Sequence, residues 1–316
     1  MRLVLAILLL GAAAAFALEW AVRRAGPEPA AALRVAPTPF GDVAWAETGS
    51  GPAVLVIHGA GGGADQGLIL ARAFLGDCVR AIAPSRFGYP GSPLPPDATP
   101  AAQADALAAL MDALGIDEAG VLGMSGGVPP ALQLAIRHPD RVRGLVLLSS
   151  APFGGMPDPA GGRAVPAGAF DMAFALEAPF AALARWRPDV LQRLFDARPE
   201  LMAEAGADDR RLVADLIAAF RPVRARRAGL ANEGAALGGD YALEGLSVPT
   251  LVVHARDDGI NPFDVGAATA ARIPGATLLP LDRGGHLLLG HAAAVRRAGA
   301  PFLFLCRKDM PCRPCA

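Results

Sequence analysis

Six short apolar runs recur along the chain, at 54–57, 79–83, 120–123, 145–148, 250–253 and 277–281, each bounded by Gly, Pro or Asp. Runs of this length without polar alternation suit strands buried on both faces of a parallel sheet. Helical patterns fill the intervals at 64–75, 100–114, 128–137 and 262–272. Parallel strands need a crossover between them, so this alternation predicts an α/β fold built on a doubly wound, mostly parallel sheet. The interval 152–245 has no strand signal and is dominated by helical patterns such as 208–220. It predicts a helical cap inserted behind the run at 145–148. Hydrophobic residues make up 53% of the chain, but much of that is Ala. The Leu, Val, Ile and Phe runs must therefore supply the core. The 316 residues suffice for one sizeable core with such an insertion.

The N-terminus departs from globular composition. Residues 3–18 are unbroken apolar sequence behind Arg2, and Glu19 alone interrupts the continuation to Val22. Residues 1–24 read as a membrane anchor just long enough to cross a hydrocarbon core, which needs roughly 20 residues. The alternative is a signal peptide cleaved after Ala15-Phe16-Ala17 and an exported protein. Arg23, Arg24 and Arg34 follow the run, so the positive-inside rule leans toward a cytoplasmic C-terminal domain for an uncleaved anchor. Residues 25–39, rich in Ala and Pro, read as a linker, and the folded domain is expected over 40–304 with the cap at about 152–245. Residues 305–316 form a tail holding Cys306, Cys312 and Cys315. A lone C-x-x-C is weak support for zinc or redox work, and a disulfide fits there only if the domain is exported. Cys78 reads as a small buried hydrophobe. With 29 basic against 30 acidic residues there is no broad field to attract a polyanion, so no nucleic-acid partner is expected.

Gly123-Met124-Ser125-Gly126-Gly127 matches G-x-S-x-G between an apolar run and a helical pattern, the context that motif requires. A nucleophile on so tight a turn needs nearly bare neighbours two positions away on either side. His58-Gly59-Ala60-Gly61-Gly62-Gly63 follows the run at 54–57 and suits an oxyanion loop. The developing oxyanion would take one backbone N–H from Ala60 and one from Gly126. No G-K-[ST] follows, which excludes a Walker A phosphate loop. Asp257 and Asp258 follow the run at 250–253 as candidate acids. Gly284-Gly285-His286 follows the last run and offers His286 as the base. His291 competes less well, and His138 and His254 read as structural. Phe174 and Phe180 recur at helical spacing within the cap and are candidate substrate-lining residues. No cofactor and no metal is implied.

From about Phe40 to Phe304 the chain resembles the α/β-hydrolase superfamily, with these landmarks in the expected order. Asp258 stands where the family that this chain resembles carries its acid. Gly88-Tyr89-Pro90-Gly91-Ser92 resembles the G-x-G-x-S loop of that family, although Ser85 stands where many members carry Asp. The resemblance implies a serine hydrolase that cleaves an ester-type bond of a small molecule through an acyl-enzyme. A C–C bond hydrolase, a cofactor-free perhydrolase and a catalytically silent binding protein share the same frame. A haloalkane dehalogenase would need Asp in place of Ser125.

Overall fold

A computed structural model describes residues 2–24, 32–76, 78–156 and 176–304. Eight strands, β1 (Arg34–Ala36), β2 (Val43–Thr48), β3 (Ala53–Ile57), β4 (Arg80–Pro84), β5 (Ala119–Met124), β6 (Val142–Leu148), β7 (Thr250–Ala255) and β8 (Thr277–Leu281), form one sheet. Its order is β1-β2-β4-β3-β5-β6-β7-β8. β3 to β8 run parallel, and only β1 and β2 are antiparallel to their neighbours.

Alternate residues of a strand point to opposite faces, and here the two faces own separate cores. Val54, Val56, Leu122 and Val253 belong to one core with the helix α2 (Ala64–Phe74) and a C-terminal helix at Ala292–Phe304. Leu55, Ile57, Val121 and Val252 belong to the other, with α3 (Pro100–Ala113), α4 (Val128–Arg137) and a helix at Phe263–Arg272. Burial on both faces is why these strands read as continuous apolar runs. The order reverses at β3, which has β4 on one side and β5 on the other. A crevice opens at such a point beyond the carboxyl ends of the strands, and the His58 and Ser125 segments leave β3 and β5 there.

Between β6 and β7 the described residues hold helices and no strand: α5 (Glu177–Trp186), α6 (Pro188–Gln192), α7 (Pro199–Glu204), α8 (Ala207–Ala219) and α9 (Arg227–Asn232), with short 3-10 turns between them. In chain order the two later helices named above are α10 (Phe263–Arg272) and α11 (Ala292–Phe304), and the N-terminal one is α1 (Arg2–Arg24).

Two expectations change at the N-terminal half, the end of the linker and the burial of Cys78. The linker does not run to residue 39, because β1 pairs with β2 and Arg34 bridges to Glu47 at 2.5 Å. Three residues at a sheet edge leave no apolar run to read. Glu19, the carboxylate that breaks the apolar stretch, is buried and accepts the N–H groups of Glu177 (2.9 Å) and Ala178 (2.8 Å), capping α5. Among the described residues no helix is long and apolar enough to cross a membrane; the side chains of residues 2–10, which carry much of the apolar stretch, lie outside them. Cys78 is not a buried hydrophobe: it is exposed and disulfide-bonded, with its partner outside the described residues. The linker residues 25–31 and the tail with Cys306, Cys312 and Cys315 also lie outside them.

Candidate active site

β5 ends at Met124 in extended geometry, and Ser125 follows at φ +53° before a 3-10 turn, Ser125–Gly127, leads into α4. A left-handed serine is a strained position, of the kind that accumulates at functional sites. Pro129 and Pro130 sit in the first turn of α4, where no amide is needed and proline presets the dihedral. Gly127 is required by a close approach, since a Cβ there would run into the carbonyl oxygens of Ile57 and His58. The elbow is thereby pressed against the end of β3, which brings Gly59 alongside Ser125.

In the loop after β3, Gly59 N–H donates to Gln66 Oε1 (3.1 Å), Gly61 N–H to Tyr89 Oη (3.1 Å) and Gly62 N–H to the Gly59 carbonyl (3.3 Å). Ala60 is exposed and its amide takes no part in those bonds, and its nitrogen lies beside Gly126. The loop is held from behind by Tyr89 and His58 of the two motifs together with Arg86 and Glu233, which no motif marks. Arg86 donates to the Gly59 carbonyl (3.2 Å) and ion-pairs with Glu233, which also accepts from the Tyr89 hydroxyl. Burial and the Glu233 carboxylate push the Tyr89 hydroxyl well above its usual pKa, so it stays protonated and donates. His58 is fully buried; burial, and then the Arg86 charge, push its pKa well down. Its Nε2 accepts the Arg86 N–H (3.0 Å). His58 is thus a neutral structural residue. Ser85, in place of the common Asp, accepts the Ala64 N–H at the start of α2 (3.0 Å).

Asp258 follows β7, and its oxygens lie 2.9 and 3.1 Å from His286 Nδ1. Asp258 Oδ1 also accepts the N–H groups of Ile260 and Asn261, both at 2.9 Å. His254 Nε2 lies 3.2 Å from Oδ2, so the residue read as structural supports the candidate acid. Burial by itself would raise the pKa of Asp258. The His286 charge and the hydrogen bonds from His254, His286 and the Asn261 amide outweigh it and hold the carboxyl well below the usual range. Asp257 points elsewhere, pairing with Arg198 (2.8 Å) and accepting the Gly285 N–H (2.9 Å). His138 is paired with Asp105 at 2.8 Å, on helix α3. Asn261 Nδ2 donates to the Ser149 carbonyl (2.9 Å) and lies 3.5 Å from Ser125 Oγ. An Asn three residues past an acid has no motif to mark it.

Ser125 and His286 open into one cavity of about 180 Å³, with Gly59, Ala60 and Gln66 on its polar side. Leu194, Phe195, Leu216, Phe220 and Leu230 enter it from the helical insertion and Ile260 from the loop after β7. Phe180 is not on this wall: it is buried and stacks on Phe220 with ring centroids 5.6 Å apart, one layer behind. Phe174 lies outside the described residues. Among the described residues no group of His, Cys, Asp or Glu is placed to hold a metal ion.

The doubly wound sheet, with Ser, His and Asp brought together from the ends of β5, β8 and β7 respectively, defines the class of α/β hydrolases. The family model described as the alpha/beta hydrolase fold matches residues 52–291, and the chain belongs to that family. A 2-hydroxymuconate semialdehyde hydrolase from Pseudomonas putida is 29% identical over 276 residues, covering 81% of this chain and 89% of that protein. A pimeloyl-[acyl-carrier protein] methyl ester esterase from Neisseria meningitidis is 32% identical over 201 residues, covering 61% and 70%. Among solved structures, an alpha/beta hydrolase fold protein from Nakamurella multipartita superposes with a TM-score of 0.74 at 32% identity, covering 86% of this chain and 99% of that one. The chain is a hydrolase by these relationships.

Proposed function

We propose that this hydrolase is a serine esterase acting on a small ester with an uncharged acyl group. In this reading His286 Nε2 takes the Ser125 hydroxyl proton as Oγ attacks the carbonyl carbon, and the oxyanion is met by the N–H groups of Ala60 and Gly126. Asp258 orients the imidazole and stabilises the imidazolium. The same proton passes to the leaving alkoxide, leaving an acyl-enzyme; water, deprotonated by His286, then releases the acid.

The observation that carries the reading is the cavity itself, which places the strained Ser125 and the Asp258-bonded His286 together in an apolar wall of Leu, Phe and Ile. A neutral acyl chain loses little on entering it, whereas a carboxylate would find no charge partner on this wall, because no Lys or Arg among the described residues lines the cavity. That favours the ester over a C–C bond cleavage of an anionic substrate, the chemistry that the name of the Pseudomonas putida relative points to. The methyl ester esterase relative supports the same choice.

A fluorophosphonate probe should label Ser125 in the full-length protein and leave Ser125→Ala unlabelled, with turnover of p-nitrophenyl esters reduced about 10⁴ to 10⁶-fold. Faster turnover of a muconate-type dienone than of any neutral ester would reverse the substrate assignment.

A further inference from the structure

The structure assigns a role to Asp196, in the helical insertion, that neither motif nor spacing marks: we infer that it is a positioning residue joining the acyl-pocket wall to both loops that carry the candidate acid and base. The inference rests on the esterase reading above.

Asp196 directly follows Leu194 and Phe195, two side chains of the pocket wall, and closes the 3-10 turn Arg193–Phe195 at φ +58°. It is buried, 7% exposed. Its Oδ2 accepts the N–H of Gly259 (2.8 Å), the residue after Asp258, and the N–H of His286 itself (3.1 Å). One carboxylate oxygen therefore spans the acid loop and the base loop. Charge-assisted bonds of this kind are stronger than neutral ones. Gly259 is required by this contact, since a Cβ would lie 2.6 Å from Asp196 Oδ1.

Arg198, two residues on, completes the arrangement. Its Nε lies 3.3 Å from Asp196 Oδ1, and its Nη2 donates to both the side chain and the carbonyl of Asp257, each at 2.8 Å. Asp257 in turn holds the Gly285 N–H. Two carboxylates thus hold the consecutive amides of Gly285 and His286, and one arginine links them. Asp257, the rival candidate for the acid, works here on the loop rather than on the imidazole. Burial raises the pKa of Asp196, against the N–H bonds and Arg198, which oppose the rise. The site keeps a costly buried charge between two loops that other hydrogen bonds could have held. A chain that seats Leu194 and Phe195 around an acyl group also seats Asp196, so pocket filling and alignment of the Asp258–His286 pair become one event.

The test uses purified full-length protein, p-nitrophenyl esters from acetate to hexanoate, and a fluorophosphonate probe. Asp196→Ala should lower kcat by about 10 to 100-fold, the scale expected from a misplaced catalytic group, with KM within about threefold. The rise of kcat along the ester series should flatten. Asp196→Asn, which keeps an oxygen acceptor for both amides, should recover most of the loss. The downfield proton signal of His286 Nδ1–H should weaken in the Ala variant and persist in the Asn variant. Should Asp196→Ala fail to fold, Gly259→Ala, whose methyl group presses on Asp196, should give the same signature. Wild-type kcat and labelling rate in Asp196→Ala would overturn the inference, as would a loss tracking only a lowered Tm and not rescued by Asn. Absence of labelling in the wild type would instead sink the esterase reading.

Discussion

Asp258 concentrates the electrostatics of the site, because His286, His254 and two backbone amides converge on one buried carboxylate. Its depressed pKa makes the folded state sensitive to acid in a defined direction. A carboxylate whose folded pKa lies below its unfolded value, about 3.9 for Asp, contributes stability that is complete above that value. The contribution is lost as pH falls through the folded pKa. Asp258→Asn should therefore flatten the loss of stability below about pH 4, read as urea midpoints across an acid series. It should also lower kcat at neutral pH about 10⁴-fold, the cost of a wrongly oriented imidazole tautomer. Asp257→Asn, which touches Arg198 and the Gly285 amide rather than the imidazole, should lower kcat far less than Asp258→Asn. Equal losses in parallel kinetics would refute this assignment. The Ser125, Asp258 and His286 set was legible in the sequence because each stands in a short turn with a glycine or strand signal beside it. Asp196, Arg198, Glu233 and Asn261 were not. Their roles arise from contacts made across the fold, from Asn261 through Asp196 to Glu233, and the sequence marks no spacing for them.

At the scale of elements, the helical insertion and the loop after β7 decide what reaches Ser125. Phe220 faces the cavity from just beyond α8, whereas Phe180 on α5 supports it from behind. Phe220→Ala should enlarge the cavity and shift the preferred acyl chain toward longer esters by about two carbons, given the several methylenes that an aromatic ring displaces. Phe180→Ala should mainly destabilise, by about 3 kcal/mol, with an unchanged order of preference along the chain-length series. A shift in preference from Phe180→Ala alone would place its ring on the substrate side. Helical periodicity located these aromatic residues in the insertion but could not tell the two faces apart. On α8 the pocket-lining Leu216 shares one buried face with Leu212, Val213 and Ile217 of the core, so apolar character by itself does not separate pocket from core.

For the whole molecule, the N-terminal segment is tied into the fold at two places, by β1 on the sheet edge and by Glu19 on α5. A chain beginning at Leu33 should fold and retain hydrolase activity while losing the α5 cap, worth about 1 kcal/mol, a fall of about 2–4 °C in Tm for a domain of this size. A chain beginning at Pro37 loses β1 as well and exposes the edge of β2, so it should be less stable again and more prone to aggregate. Thermal melts of the two read this directly, and equal Tm values would show that β1 contributes nothing. The parallel layer, the crossovers, the elbow at Ser125 and the glycine-rich loop from His58 to Gly63 were determined by the sequence alone, because backbone geometry there depends on local residues: apolar runs, glycines and prolines within a few positions. Tertiary structure decided the rest. The Glu19 cap, the face of Phe180 and the Asp196 bridge each join residues far apart in the chain, and such contacts exist only once the sheet has set the distances between loops.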